Sequence, residues 1–177
     1  MAGRSFTGLV YIGTSVDGFI AREDGDLGWL MSRGEAAGDA GYSDFSAAID
    51  TMLIGRSTYE VVQSFGSWPY GGKHVLVLSR TLDAGADDKI SVVRDLDEAA
   101  DRLGSLGAQR VYIDGGRTIQ ACLAAGWVDE LTISRVPVLL GTGASLFGPL
   151  PGDVDLEHVR TDVLGGGMVQ TTYRVVR

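Results

Sequence analysis

Cysteine is all but missing from this chain of 177 residues: Cys122 is the only one. No intramolecular disulfide can form, and the chain fits a reducing, cytoplasmic setting. Histidine is almost as scarce. His74 and His158 stand far apart, one cysteine adds little to them, and no metal is expected. Positive charge is in deficit, with 15 Lys and Arg against 23 Asp and Glu and a net charge of -8. That argues against a general nucleic-acid-binding surface, although a few local arginines suffice to hold a phosphorylated ligand. There is no long apolar span and no charged stretch ahead of an apolar one, so neither a membrane helix nor a signal peptide is expected. A nucleophile elbow (G-x-S-x-G), a P-loop (G-x-x-x-x-G-K-[ST]) and the zinc-deaminase signature are also absent.

What is present is 45% hydrophobic and 21% charged, the balance of a globular protein. Residues 1–177 read as a single domain with a full core. "TGLVYIG" (7–13) is a β-rich apolar run, and "SVDGFIA" (15–21) carries an Asp17-Gly18 turn. Residues 22–41 read as a long surface loop with at most one helical turn around Trp29, and loops of that length are usually functional. "YSDFSAAID" (42–50) sets Tyr42, Phe45 and Ile49 on one helical face. "TMLIG" (51–55) is a short buried strand followed by a helix over 58–66, where Ser57 and Glu60 have capping-box spacing.

Further strands are expected at 73–79, 89–93 and 110–113, with helices at 95–107 and 117–126. "DELTISRVPVLLG" (129–141) reads as a long strand with Pro137 marking an edge, a bulge or an exit. The tail (155–176) reads as two strands joined through Gly165-Gly166-Gly167. Strands alternate with helices to about residue 130 and then stand alone. The expected fold class is therefore α/β, a mostly parallel sheet with helices and an antiparallel C-terminal hairpin.

Three apolar strands end in the same chemistry. "MLIG" gives way to Arg56-Ser57-Thr58, "VLVL" to Ser79-Arg80-Thr81, and "VYI" to Asp114-Gly115-Gly116-Arg117-Thr118. In an open α/β sheet, ligands bind beyond the carboxyl ends of the strands. Helix N-termini there offer free N–H groups to phosphate, arginine adds a forked donor, and Gly-Gly lets backbone approach a pyrophosphate. Each piece also has a plainer role as a cap, a polar strand exit or a tight turn. The coincidence of three arginine-bearing ends favours an anion site. Arg56 is the sharpest sign, because a cation at a helix N-terminus is unfavourable without an anion between them.

The ordered set "SVDGFIA", "LIGRSTYE", "VLSRT", "IDGG" and "VDELTISRVPVLLGTGASLF" resembles the dihydrofolate reductase superfamily over nearly the whole chain. The nearest branch is the C-terminal reductase domain of the bifunctional riboflavin-biosynthesis deaminase-reductase, here in a stand-alone form. The resemblance implies a central eight-stranded sheet that binds NADPH at the strand carboxyl ends. Gly13 and Thr14 would then lie near the nicotinamide, and Asp17, Gly18, Phe19, Ile20 and Ala21 would close over the cofactor. Gly55, Arg56, Ser57 and Thr58 match the pyrophosphate and 2′-phosphate contact, and Ser79, Arg80 and Thr81 the strand end that holds the 2′-phosphate. Gly115 and Gly116 match the Gly-Gly beneath the pyrophosphate, with Arg117, Thr118 and Ile119 continuing the helix start. Leu140, Gly141 and Gly143 match a nearby loop.

On the substrate side the superfamily places one carboxylate on the helix before "IGR". Asp39 and Asp44 compete for that place here, each as an exposed carboxylate or as an anchor and proton source with a pKa raised by burial. Trp29, Tyr42 and Phe45 are candidate walls for a flat ring, with core packing as the alternative. The expected activity is hydride transfer from NADPH to a pterin- or pyrimidine-type heterocycle, as in dihydrofolate reductase and 5-amino-6-(5-phosphoribosylamino)uracil reductase. An NADPH-binding module without turnover is the alternative, and the resemblance also implies a homodimer.

Overall fold

The computed structural model describes residues 4–177. β1 (Thr7–Ser15) leads through a tight turn into the short β2 (Phe19–Ala21), then α1 (Gly28–Gly34), a 3-10 turn (Glu35–Ala37) and α2 (Tyr42–Ala47). β3 (Thr51–Gly55), α3 (Arg56–Gln63), β4 (His74–Leu78), β5 (Ser91–Val93), α4 (Leu96–Leu106), β6 (Arg110–Asp114) and α5 (Gly116–Ala124) follow. β7 (Glu130–Val136), the two-residue β8 (Ala144–Ser145), β9 (Leu156–Val163) and β10 (Val169–Val175) complete the chain.

Eight strands form one sheet in the order β5-β4-β3-β6-β1-β7-β10-β9, and β2 pairs with β8 in a small separate ribbon. β5 through β7 run parallel, whereas β10 runs antiparallel to both β7 and β9. The α/β class with an antiparallel C-terminal hairpin is the one the sequence pattern implies. Pro137 follows β7 directly, so of its three readings the strand exit is the one realised. β7 is a central strand, and a proline lacking its N–H could not sit inside it.

Alternation along each strand divides the core. Val10, Leu53, Leu76 and Ile113 face one side and pack with Leu103, Ile119 and Cys122 of α4 and α5. Leu9, Met52, Ile54, Val75, Val77 and Tyr112 face the other and pack with Ile49, Tyr59, Val62 and Tyr70. Strands covered on both faces read as continuous apolar runs, which is why "MLI" and "VLV" were legible.

Two local expectations fail. Residues 22–41 hold a seven-residue helix and a 3-10 turn, more than the single helical turn allowed in the expected loop. Trp29 is the reason. It is 4% exposed and packs with Val136 and Met168, a burial that no short-range pattern around 22–41 announces. Ser57 is not a helix cap: α3 starts one residue earlier, with Gly55 at its N-cap and no side-chain capping bond. Glu60 turns instead to Arg56, 2.7 Å away.

At the opposite edge of the sheet, Asp129 ties both ends of the chain together. It accepts from Arg4 at 2.6 and 2.7 Å and from the Gly8 N–H at 2.7 Å, and it pairs with Arg177 at 2.9 Å. Arg4 is largely buried, so removing the carboxylate strands a cation and a backbone donor. Asp129→Ala is expected to lower stability by roughly 2–4 kcal/mol, read as a lower urea midpoint at unchanged slope.

Candidate functional site

Because β3, β4, β5, β6, β1 and β7 run parallel, their carboxyl ends lie along one edge. β3 ends at Gly55 and β6 at Asp114, and each passes straight into a helix, α3 or α5. The two ends are neighbours, with Ile54 paired to Asp114. Their glycines lie nearly in contact. A Cβ on Gly115 would sit 2.8 Å from Thr58 Oγ1 and 3.3 Å from the Gly55 nitrogen, and a Cβ on Gly55 would sit 2.9 Å from Thr118 Oγ1. Gly115 also has φ of +98°, a conformation that side chains rarely adopt. Two helix N-termini and two threonine hydroxyls thus border one cradle. Ile20 completes it, since a Cβ on Gly116 would come within 3.1 Å of Ile20 Cδ1.

Arg56 is exposed, bonds Glu60 and donates from Nη1 to Thr81 Oγ1 at 2.8 Å. Its misplaced charge at a helix start is therefore offset by an i,i+4 carboxylate. Ser79 is buried, and its hydroxyl accepts from the Thr81 and Leu82 N–H groups at 3.3 and 3.0 Å. It shapes the strand exit and does not present its hydroxyl outward. Arg80 and Arg117 are exposed and make no hydrogen bond or ion pair among the described residues. A fourth arginine joins this edge. Arg94, just after β5, donates to the Ser79 and Leu82 carbonyls at 2.9 and 2.6 Å and braces the loop that carries Arg80. "SVVR" carries the same strand-end signal as the other three.

Other expected cofactor residues have different surroundings. Asp17 is exposed, and its carboxylate accepts from the Leu140 and Gly141 N–H groups at 3.1 and 2.8 Å, latching the β1–β2 turn to that loop. Bonding from the Ser15 hydroxyl first, and from those N–H groups, holds its pKa below the usual carboxylate value. Thr14 is buried, Ala21 half-buried, and Gly13 lies against Leu30, which a Cβ would meet at 2.7 Å. Ile119 is fully buried under α5 and its N–H is bonded to the Gly115 carbonyl, so it offers the site neither side chain nor donor.

The substrate side is where the sequence reading needs most correction. Asp39 is exposed, caps α2 through the Ser43 N–H at 3.0 Å, and bonds the Ser43 hydroxyl at 2.8 Å. Those bonds hold its pKa down, the opposite of the rise that burial would give. Asp44 is exposed as well, on the outer face of α2. Neither has the burial on which the proton-donor role depended. Trp29 is buried and shows no ring face to a ligand; its indole N–H has no acceptor among the described residues.

Asp114, half-buried at the end of β6, is the carboxyl group whose pKa is raised. It ends β6 two residues after Tyr112, and the two share the face that α2 covers. Burial pushes its pKa up to about 6, against the pull of the Gly115 N–H and the Tyr112 hydroxyl. Its charge in turn helps keep the Tyr42, Tyr70 and Tyr112 hydroxyls protonated, though burial is the larger cause for each. Tyr42 and Phe45 do gather here: Phe45 meets Tyr112 edge-on at 5.0 Å, and Tyr42 is 6.3 Å from Phe45. The edge therefore joins an anion cradle to an aromatic recess with a carboxyl group at its base. That pairing suits a phosphorylated cofactor beside a flat ring that gains a proton.

Comparison with known proteins identifies the family and the fold. The family model "RibD C-terminal domain" matches residues 7–170. The uncharacterized protein YwjB of Bacillus subtilis is 34% identical over 89% of this chain and 91% of its own length. The riboflavin biosynthesis protein RibD of Corynebacterium ammoniagenes is 30% identical over 86% of this chain but only 46% of its own. The crystal structure of a putative riboflavin biosynthesis protein from Shewanella sp. PV-4 superposes with a TM-score of 0.87 at 37% identity. That match covers 97% of this chain and 100% of that one.

Proposed function

This chain belongs to the RibD C-terminal domain family, and on that premise we propose that it is an NADPH-dependent reductase of a flat nitrogen heterocycle of pterin or pyrimidine type. The observation that carries the reading is the cradle between Gly55 and Gly115. It has no room for a Cβ, and two helix N-termini and two threonine hydroxyls border it. NADPH fits what is present: Gly55, Thr58, Gly115, Gly116 and Thr118 would hold the pyrophosphate. Arg80, with Arg56 and Thr81 beside it, would hold the 2′-phosphate. Bound there, the reduced nicotinamide would supply a hydride.

The chain's own residues would supply orientation and a proton. Phe45, packed on Tyr112, and the more exposed Tyr42 would flank the substrate ring and orient it. Asp114 Oδ1 is taken by the Gly115 N–H at 2.7 Å, which leaves Oδ2 to donate to a ring nitrogen of the substrate. A carboxyl group that titrates near 6 holds enough proton to donate and is acidic enough to release it. The reading without turnover needs no proton donor. Asp114 supplies one, which favours an enzyme.

NADPH oxidation is expected above the rate in buffer with either dihydrofolate or a ribosylaminopyrimidine, followed by loss of reduced-nicotinamide absorbance. Tight NADPH binding with no oxidation by either substrate would favour the module without turnover. Arg80→Ala is expected to weaken NADPH at least about tenfold while leaving NADH nearly unchanged, since only NADPH carries the phosphate that a guanidinium would grip. Equal losses for the two nucleotides would contradict the 2′-phosphate role.

A further inference from the structure

Two side chains from opposite ends of the sequence meet on one backbone oxygen. The Tyr11 hydroxyl, from β1, donates to the Ala40 carbonyl. Gln170 Nε2, from β10, donates to the same oxygen at 3.1 Å. That amide also reaches Tyr11 Oη at 2.8 Å and Ser134 Oγ at 2.9 Å. Gln170 is 3% exposed, so its amide depends on these partners. The residue they hold is unusual. Ala40 has φ of +52°, the only positive φ at a non-glycine among the described residues, and an L-residue stays there only when its surroundings insist.

The strap held this way ends in Gly41, the N-cap of α2, and Tyr42 follows at once. The Tyr11 ring lies 4.7 Å from Phe45 and 5.8 Å from Tyr42. One residue therefore fixes both the strap's carbonyl and the rings that follow it. We propose that Tyr11 and Gln170 are positioning residues that pin the 38–41 strap and thereby hold Phe45 against Tyr112 and Tyr42 beside the half-buried Asp114, limiting the water that reaches it. This rests on the reading of Asp114 as the acid of the site.

The groups that face Asp114 are Tyr42 from α2, Tyr70 from the segment after α3, and Tyr112 with the Gly115 N–H from its own strand end. None is a cation, so solvent exclusion is the main force on this carboxyl group. Loosening the roof admits water, and water favours the carboxylate. A strap with a merely structural role would change thermal stability and leave the titration of a still-folded Asp114 alone.

The test is a carbon-13 carboxyl NMR titration of the full chain, free of nucleotide and substrate, as wild type, Gln170→Leu and Tyr11→Phe. The Asp114 midpoint, near 6 in the wild type, is expected to fall by roughly half a unit or more in both variants. Tyr11→Phe loses only a hydroxyl and keeps its ring contacts, so it decides the matter even if Gln170→Leu does not fold. An unchanged Asp114 midpoint in Tyr11→Phe overturns the proposal. Because the tube holds neither NADPH nor substrate, failure here leaves the NADPH reading standing, and failure of NADPH to bind leaves this result intact.

Discussion

Replacing Gly115 with alanine is expected to cost NADPH affinity at least about 100-fold, the largest loss of any single methyl group in this protein. Two separate penalties combine. At φ of +98° an alanine is strained whatever space surrounds it. Its Cβ would also press on Thr58 Oγ1 at 2.8 Å and on the Gly55 nitrogen at 3.3 Å. The threonine can rotate, but the Gly55 backbone cannot move without dragging β3 and α3. The two helix N-termini must then part, and the N–H groups that converge on one anion no longer do so. Gly104→Ala is the matched control. Gly104 lies within α4, has ordinary φ and meets nothing within 4 Å, so this variant should bind NADPH like wild type and be slightly more stable. Equal NADPH affinity in both variants would mean that the cradle is not the phosphate site.

Asp114→Asn should separate chemistry from binding. Turnover is expected to fall by about 10²–10⁴, while NADPH affinity changes little, because the amide oxygen can still accept from the Gly115 N–H. In the wild type, turnover should decline as pH rises through about 6 and the proton is lost; in the variant that limb should disappear. The same substitution should stabilise the protein in alkaline solution. Folded Asp114 takes its proton near pH 6, against 3.8 for an ordinary aspartate. Between those values the folded state binds more proton than the unfolded one, so stability falls as pH climbs through that window and stays lower above it. The deficit is of the order of 2–3 kcal/mol, less whatever water reaches the group. Asp114→Asn should therefore unfold at higher temperature than wild type at pH 8, with the difference vanishing once the pH is below the ordinary aspartate value of 3.8. Parallel pH profiles for the two proteins would contradict a raised Asp114.

The glycine- and arginine-bearing strand ends were far more legible in the sequence than the surroundings of Asp114, for physical reasons. Strands covered on both faces, such as "MLI" and "VLV", declare themselves by composition, and in a parallel sheet their carboxyl ends must share an edge. Gly55, Arg80 and Gly115 follow from that alone. The roles of Ser79 and Arg56 did not, because hydroxyls and guanidinium groups choose partners through loop geometry that spacing does not encode. The raised carboxyl group of Asp114 was not legible for a related reason. Asp39 and Asp44 were sought at a register on the helix before "IGR", but burial decides which carboxyl group keeps its proton. Asp114 shares a sheet face with Tyr112, on which Phe45 of α2 packs, a contact between segments far apart in sequence. Of the two readings of Trp29, ring wall or core packing, the structure realises core packing, against Val136 and Met168.

The central claim is that these strand ends form a site for a phosphorylated dinucleotide. Fluorescence titration of the full chain with NADPH, and with NADH as control, tests it most directly. Saturable binding of NADPH, at least about tenfold tighter than NADH, is the result expected of a cradle flanked by Arg80 and Arg56. No binding of NADPH at sub-millimolar concentration would contradict it.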